Sequence, residues 1–110
     1  MKRIYLSGPM TGLPELNFPA FHREATRLRA LGFEVENPAE LNAGPSATWA
    51  DCMRADIARL VLCDSLALLQ GHEASRGARL ERHIAHELGM PVTLAAYITH
   101  RPAQWERAAA

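Results

Sequence analysis

The sequence predicts a single α/β domain built on a parallel sheet of about four strands with helices on both faces. Three observations carry this. Short apolar runs alternate regularly with segments whose apolar residues recur every three or four positions. Gly, Pro or a capping residue stands at nearly every junction. The 110-residue length suits one domain, and 48% hydrophobic against 22% charged residues is the balance of a chain able to bury a core.

The elements follow in order. Residues 2–7 (KRIYLS) read as the first strand, and the breakers Gly8-Pro9 and Thr11-Gly12 open a loop to about Pro19. Asn17 suits a helix cap with Pro19 in the first turn, Phe21, Ala25, Leu28 and Leu31 recur at helical spacing, and Gly32 stops the helix. Residues 33–36 (FEVE) form a second strand, ended by Asn37-Pro38. Ser46 or Thr48 caps a second helix running to about Cys63, with Trp49, Met53, Ile57, Leu60 and Val61 on its apolar side. Residues 65–69 (SLALL) have the length of a buried strand, 70–77 form a polar loop, and 77–88 form a third helix stopped by Gly89. Residues 91–95 (PVTLA) give the fourth strand. The domain is expected over 1–95, with 96–110 a tail forming a short helix or a partner-binding arm in which Trp105 follows Pro102. Parallel strands joined by right-handed crossovers place a ligand at their carboxyl ends, where the loops after the first and third strands should meet.

Twelve basic and twelve acidic side chains give zero net charge, which argues against binding polymeric nucleic acid by bulk attraction to phosphates. No run of 18 apolar residues exists, so no membrane-spanning helix is expected, and the apolar stretch after Met1 is too short for a signal-peptide core. Cys52 and Cys63 fall in one expected helix with a rise of about 16 Å between them, beyond disulfide reach. Reduced thiols and a cytoplasmic location are the expectation.

Glu81 is the first candidate for chemistry. At ~100° per residue from Leu80, Glu81 falls within an arc defined by Ile84, Leu88, Ala85 and Ala78. Arg79, Arg82, His83, His86 and Glu87 fall on the opposite side. An inward carboxylate costs several kcal/mol unless it is paired or lines a cleft, so Glu81 is either a working group or part of a buried ion pair or cap. Asp56 lies on the apolar stripe of its own helix with Trp49, Met53 and Leu60. Two inward carboxylates suggest one shared cleft; the competing account pairs Asp56 with a buried Arg or hydroxyl. Asp64 stands at a helix-to-strand junction and also suits a plain turn.

Two glycine-bearing loops form the third candidate. Ser7-Gly8-Pro9-Met10-Thr11-Gly12 follows the first strand, and Ser75-Arg76-Gly77-Ala78 opens the helix carrying Glu81. Free N–H groups at a helix start, the Ser75 hydroxyl and the Arg76 cation together suit a phosphate. A tight turn plus an N-cap accounts for Ser75 and Gly77 as well, and neither loop is a Walker or GxGxxG motif. His83 and His86 lie on the outward face without a third ligand, so no metal site is expected. His72 is the one histidine near the expected cleft. Tyr5 points either to the core or to the cleft by its hydroxyl.

The ordered set IYLSGPM, Asp56 in RADIARL, Asp64 before an apolar strand, and SRGARLE followed by GMPV resembles the nucleoside 2-deoxyribosyltransferase superfamily over residues 3–94. The superfamily includes enzymes that hydrolyse the N-glycosidic bond of deoxynucleoside 5′-monophosphates, and the likeness is strongest to its short, often phage-encoded branch. The resemblance implies a flavodoxin-like, Rossmann-like sheet, a glutamate nucleophile at Glu81, an assisting aspartate at Asp56, and the strand tyrosine at Tyr5. It places the first-loop glycine at Gly8, with Pro9 and Met10 beside it, and 5′-phosphate contacts at Ser75 and Gly77. It further implies a small nucleoside or nucleotide as substrate, no cofactor or metal, and a homodimer or larger homo-oligomer. The cleft loop reads Gly71-His72-Glu73 where many members hold an aromatic. A nucleotide-binding module or phage accessory protein without turnover is the alternative. A phosphoribohydrolase is a further one, which the absence of a longer glycine-rich element disfavours.

Overall fold

The computed structural model describes residues 2–41 and 44–100. Four strands, β1 (Arg3–Ser7), β2 (Glu34–Glu36), β3 (Ser65–Leu68) and β4 (Val92–Leu94), alternate with three helices, α1 (Phe18–Ala30), α2 (Trp49–Leu60) and α3 (Arg76–Glu87). The strands form one parallel sheet in the order β2-β1-β3-β4. The expected fold class is therefore the one found. Pro102 and Trp105 lie outside the described residues, and residues 95–97 form a 3-10 turn.

The reversal in strand order sends the chain left to β2 and then right to β3 and β4, and right-handed crossovers then put α1 on one face and α2 and α3 on the other. Pleating of β1 divides its side chains accordingly. Ile4 and Leu6 join Phe21, Ala25 and Leu28 of α1 in one core. Tyr5 joins Leu60, Leu66, Leu68 and Ala85 in the other. The second face is the one that receives Glu81.

Local chemistry sets the element ends. Thr48 and Asp51 form a reciprocal capping box at the start of α2, each side chain bonded to the other's backbone N–H. Asn17 occupies the cap position of α1, but its side chain does not cap the helix; its Nδ2 donates to the Pro9 carbonyl at 2.9 Å and ties the loop after β1 to the helix start. Glu15, Leu16 and Asn17 all hold left-handed backbone conformations, a local strain held in that same loop. Cys63 lies past the end of α2 rather than within it, and both cysteines are free thiols.

The loops after β1 and β3 meet, as the topology requires. Leu69 N–H donates to the Ser7 carbonyl at 2.8 Å. Gly71, at φ +89°, turns against Pro9, whose Cγ lies 3.2 Å from where a Cβ on Gly71 would sit. Gly8 is needed for its size: a Cβ there would stand 2.8 Å from the Leu69 Cβ. Gly8→Ala is expected to destabilise the protein by about 1–3 kcal/mol, since relief of that clash must come from the backbone. Thermal denaturation reads the loss, and an unchanged melting temperature would contradict this packing.

Candidate active site

Glu81 sits in the second turn of α3, facing the sheet, and is 4% exposed. Two hydroxyls from β1 reach it. Tyr5 Oη donates to Glu81 Oε2 at 2.6 Å, and Ser7 Oγ donates to Glu81 Oε1 at 2.6 Å. Tyr5 and Ser7 are themselves buried. Every buried side-chain polar atom among the described residues has a partner, so the cluster is fully bonded.

α3 approaches the sheet this closely because small residues flank Glu81. Ala78 and Ala85 are buried beside it, whereas Leu80 and Ile84 are half-buried and Leu88 is 57% exposed. This corrects the expected arc of the third helix: its centre lies on Ala78, Glu81 and Ala85, and Leu88 falls outside it. Glu81 is thus more central than the sequence periodicity placed it.

The electrostatics follow from this burial. Removal from water pushes the Glu81 carboxyl up to about 7, opposed by the hydrogen bonds from Ser7 and Tyr5 and reinforced by the charge of Asp56. Asp56, half-buried on α2, is pushed up to about 6 by burial. Burial and then the charges of Glu81 and Asp56 drive the Tyr5 hydroxyl far above its ordinary range, so it is a permanent donor. The charge of Asp56 raises both Glu81 and Tyr5 further.

The remaining expected residues are distributed around this cluster. Ser75 caps α3, its Oγ accepting from Ala78 N–H at 3.1 Å. Arg76 lies flat over the Trp49 ring, its guanidinium carbon 3.6 Å from the ring centroid, joining the starts of α2 and α3. Gly77 lets those helices close up, since a Cβ there would meet Met53 Sδ at 3.1 Å. Gly8, Pro9 and Met10 form the loop leaving β1, with Met10 packed on the α1-side core. His72 is buried in a 3-10 turn at His72–Ala74, its Nε2 3.7 Å from Glu73.

Asp64 is not brought to the cluster. It precedes β3 and accepts from the Arg3 N–H at 2.8 Å, at the amino ends of the strands. The carboxyl ends, where a ligand cleft belongs, are on the far side of the sheet. Two residues escaped the sequence reading as site groups. Ser7 shares the α3 face with Tyr5 by the two-residue strand period, which is the signal that reveals it. Trp49, read as core, meets Arg76 through a contact that no spacing in one helix encodes. Among the described residues no group of three or more His, Cys, Asp or Glu is arranged to hold a metal ion, and no helix is long and apolar enough to cross a membrane.

Solved structures show the same architecture. A 2-deoxyribosyltransferase from the psychrotolerant bacterium Bacillus psychrosaccharolyticus superposes with a TM-score of 0.67 at 22% identity, over 84% of this chain and 70% of that one. A 2-deoxyribosyltransferase from Leishmania mexicana gives 0.66 at 17% identity, over 84% of this chain and 63% of that one. The chain thus has the fold of these enzymes, the flavodoxin-like sheet that the resemblance implies, on a shorter frame. No curated protein matches it in sequence. A family model does match, across residues 2–94, and by that match the chain belongs to the family described as a domain of unknown function (DUF4406).

Proposed function

We propose that the protein cleaves or transfers at the N-glycosidic bond of a nucleoside or nucleoside 5′-monophosphate, with Glu81 as the nucleophile. One observation carries the reading. Glu81 is a buried carboxylate gripped at both oxygens by Tyr5 and Ser7 and coupled to a second carboxyl, Asp56. A structural ion pair would place a cation there, and among the described residues no ion pair to Glu81 is found. The shared fold with 2-deoxyribosyltransferases supports the same reading.

The chemistry asks for such a pair. As the bond from C1′ to the base nitrogen breaks, its electron pair leaves with the base and positive charge builds on the sugar. Ionised Glu81 stabilises that charge and bonds to C1′, while protonated Asp56 gives its proton to the departing base. Water or a second base then takes the sugar from Glu81, giving hydrolysis or transfer.

The start of α3 suits the 5′-phosphate. Its first N–H groups, those of Arg76 and Gly77, have no intrahelical partners, and the Ser75 hydroxyl keeps a proton to donate while it caps Ala78. Trp49 holds the Arg76 guanidinium at this end of the helix. Exposed Val61, Leu62 and Leu88 near the ends of α2 and α3 are compatible with self-association.

The test is a panel of nucleosides and 5′-monophosphates, with free base followed by chromatography. Base release is expected from at least one deoxyribose substrate. Arg76→Ala is expected to raise KM for monophosphates about tenfold or more while leaving nucleosides nearly unchanged. Equal losses for both would remove the phosphate from the reading. A thermal shift with a nucleotide but no release would make the protein a binding module, and release from ribonucleotides alone would make it a phosphoribohydrolase.

A further inference from the structure

Ser7 is the last residue of β1 and is fixed from two directions. Its carbonyl accepts from Leu69 N–H at 2.8 Å, and its hydroxyl donates to Glu81 Oε1 at 2.6 Å. Among the described residues Glu81 is the hydroxyl's one acceptor. Ser7 stands two residues beyond Tyr5, about 6.6 Å nearer the carboxyl edge of the sheet. The two hydroxyls therefore hold separate oxygens of Glu81, Ser7 on Oε1 and Tyr5 on Oε2.

We infer that Ser7 is a positioning residue, whose hydroxyl holds Oε1 of Glu81 proton-free and in one orientation. This role rests on the reading of Glu81 as the working carboxylate. Tyr5 cannot substitute, because it holds the other oxygen, Oε2. A proton on Glu81 would have to displace one of two donors already directed at its oxygens. The displaced hydroxyl would then need another acceptor among buried groups.

The opposing influences are few. Burial and the charge of Asp56 on α2 favour a protonated Glu81, whereas the Ser7 and Tyr5 hydroxyls on β1 oppose it. β3 and β4 carry no titratable side chain. The turn at His72–Ala74 brings His72 and Glu73, which face one another. Arg79, Arg82, His83 and His86 of α3 itself are exposed. Removing either hydroxyl therefore shifts a balance that has no cation to restore it.

Carbon-13 NMR of the whole protein, labelled at Glu side-chain carboxyls, follows the Glu81 titration directly, and Glu81→Gln identifies the resonance by its loss. Ser7→Ala is expected to move the midpoint up by about one pH unit, the effect of removing one charge-assisted donor. Ser7→Cys, similar in size but a weak donor, is expected to move it in the same direction by less. It provides the readout if the alanine variant does not fold. The acid limb of the kcat/KM profile should move with the midpoint. A folded Ser7→Ala protein with an unmoved midpoint, or a folded Ser7→Cys protein with one, overturns the inference. The titration needs no turnover, so it separates from the proposed activity. Base release with an unmoved midpoint defeats the Ser7 role alone, and a moved midpoint without base release from any substrate defeats the glycosidase reading alone.

Discussion

Glu81→Gln is expected to cut base release by about a thousandfold or more while stabilising the protein above pH 7. The two effects share a cause. Gln has the shape of Glu but cannot attack C1′ as an anion, so the covalent route closes. Gln also carries no charge into a site that is 4% exposed. The folded-state value of Glu81 lies at about 7 against an ordinary 4.5, so the folded protein binds the proton more tightly than the unfolded chain. Stability is then highest at low pH and falls as pH rises from about 4.5 through 7. The full loss contributed by this residue is about 3 kcal/mol. Thermal melts of the variant and the wild type should coincide near pH 4 and separate above pH 7, with the variant higher. A variant that melts lower at pH 8 would contradict the burial penalty. Full activity would remove Glu81 from the chemistry.

Asp56→Asn is expected to lower kcat about 10²- to 10³-fold and to change the shape of the pH profile. The productive form has Glu81 ionised and Asp56 protonated. With Glu81 near 7 and Asp56 near 6, the singly protonated pair holds its proton mainly on Glu81, so the productive form is the minor tautomer of that pair and its share peaks between about pH 6 and 7. The wild-type profile should be a bell centred there. In Asp56→Asn the alkaline limb, which reports loss of the last proton of the pair, should vanish. The one remaining limb should report Glu81 alone, somewhat below 7 because the negative charge that raises it is gone. A bell that persists in the variant would assign the general acid to another group.

The fold was legible because α/β chains separate their periods cleanly. Short apolar runs between amphipathic segments leave few arrangements, and the observed order of elements is the expected one. Boundaries moved by one to three residues where helix and strand ends depend on hydrogen bonds rather than on hydropathy. Glu81 and Asp56 were legible because a carboxylate on an apolar stripe conflicts with burial unless it has work or a partner. What a helical wheel cannot show is how near the helix stands to the sheet. Ala78 and Ala85 set that distance, and it is their small size that brings Glu81 within reach of Tyr5 and Ser7 while leaving Leu88 outside.

Ser7 was hidden for a related reason. A serine before Gly-Pro reads as the start of a turn, and only its partner 74 positions away gives it another meaning. Asp64, drawn into the site set by the resemblance although its position also suits a turn, lies at the amino edge because it precedes a strand. The stacked pair of Trp49 and Arg76 joins two helix starts that are distant in sequence and adjacent only through the crossovers.

The central claim is that Glu81 carries the sugar. Its most direct test is to incubate the protein with a 2′-fluorinated nucleoside or 5′-monophosphate, which slows breakdown of a glycosyl ester, then quench in acid and map peptides by mass spectrometry. The account predicts a sugar ester on the peptide spanning the start of α3, located at Glu81 and absent in Glu81→Gln. Base release with the sugar attached to another carboxylate, or unchanged labelling of the Gln variant, would contradict it.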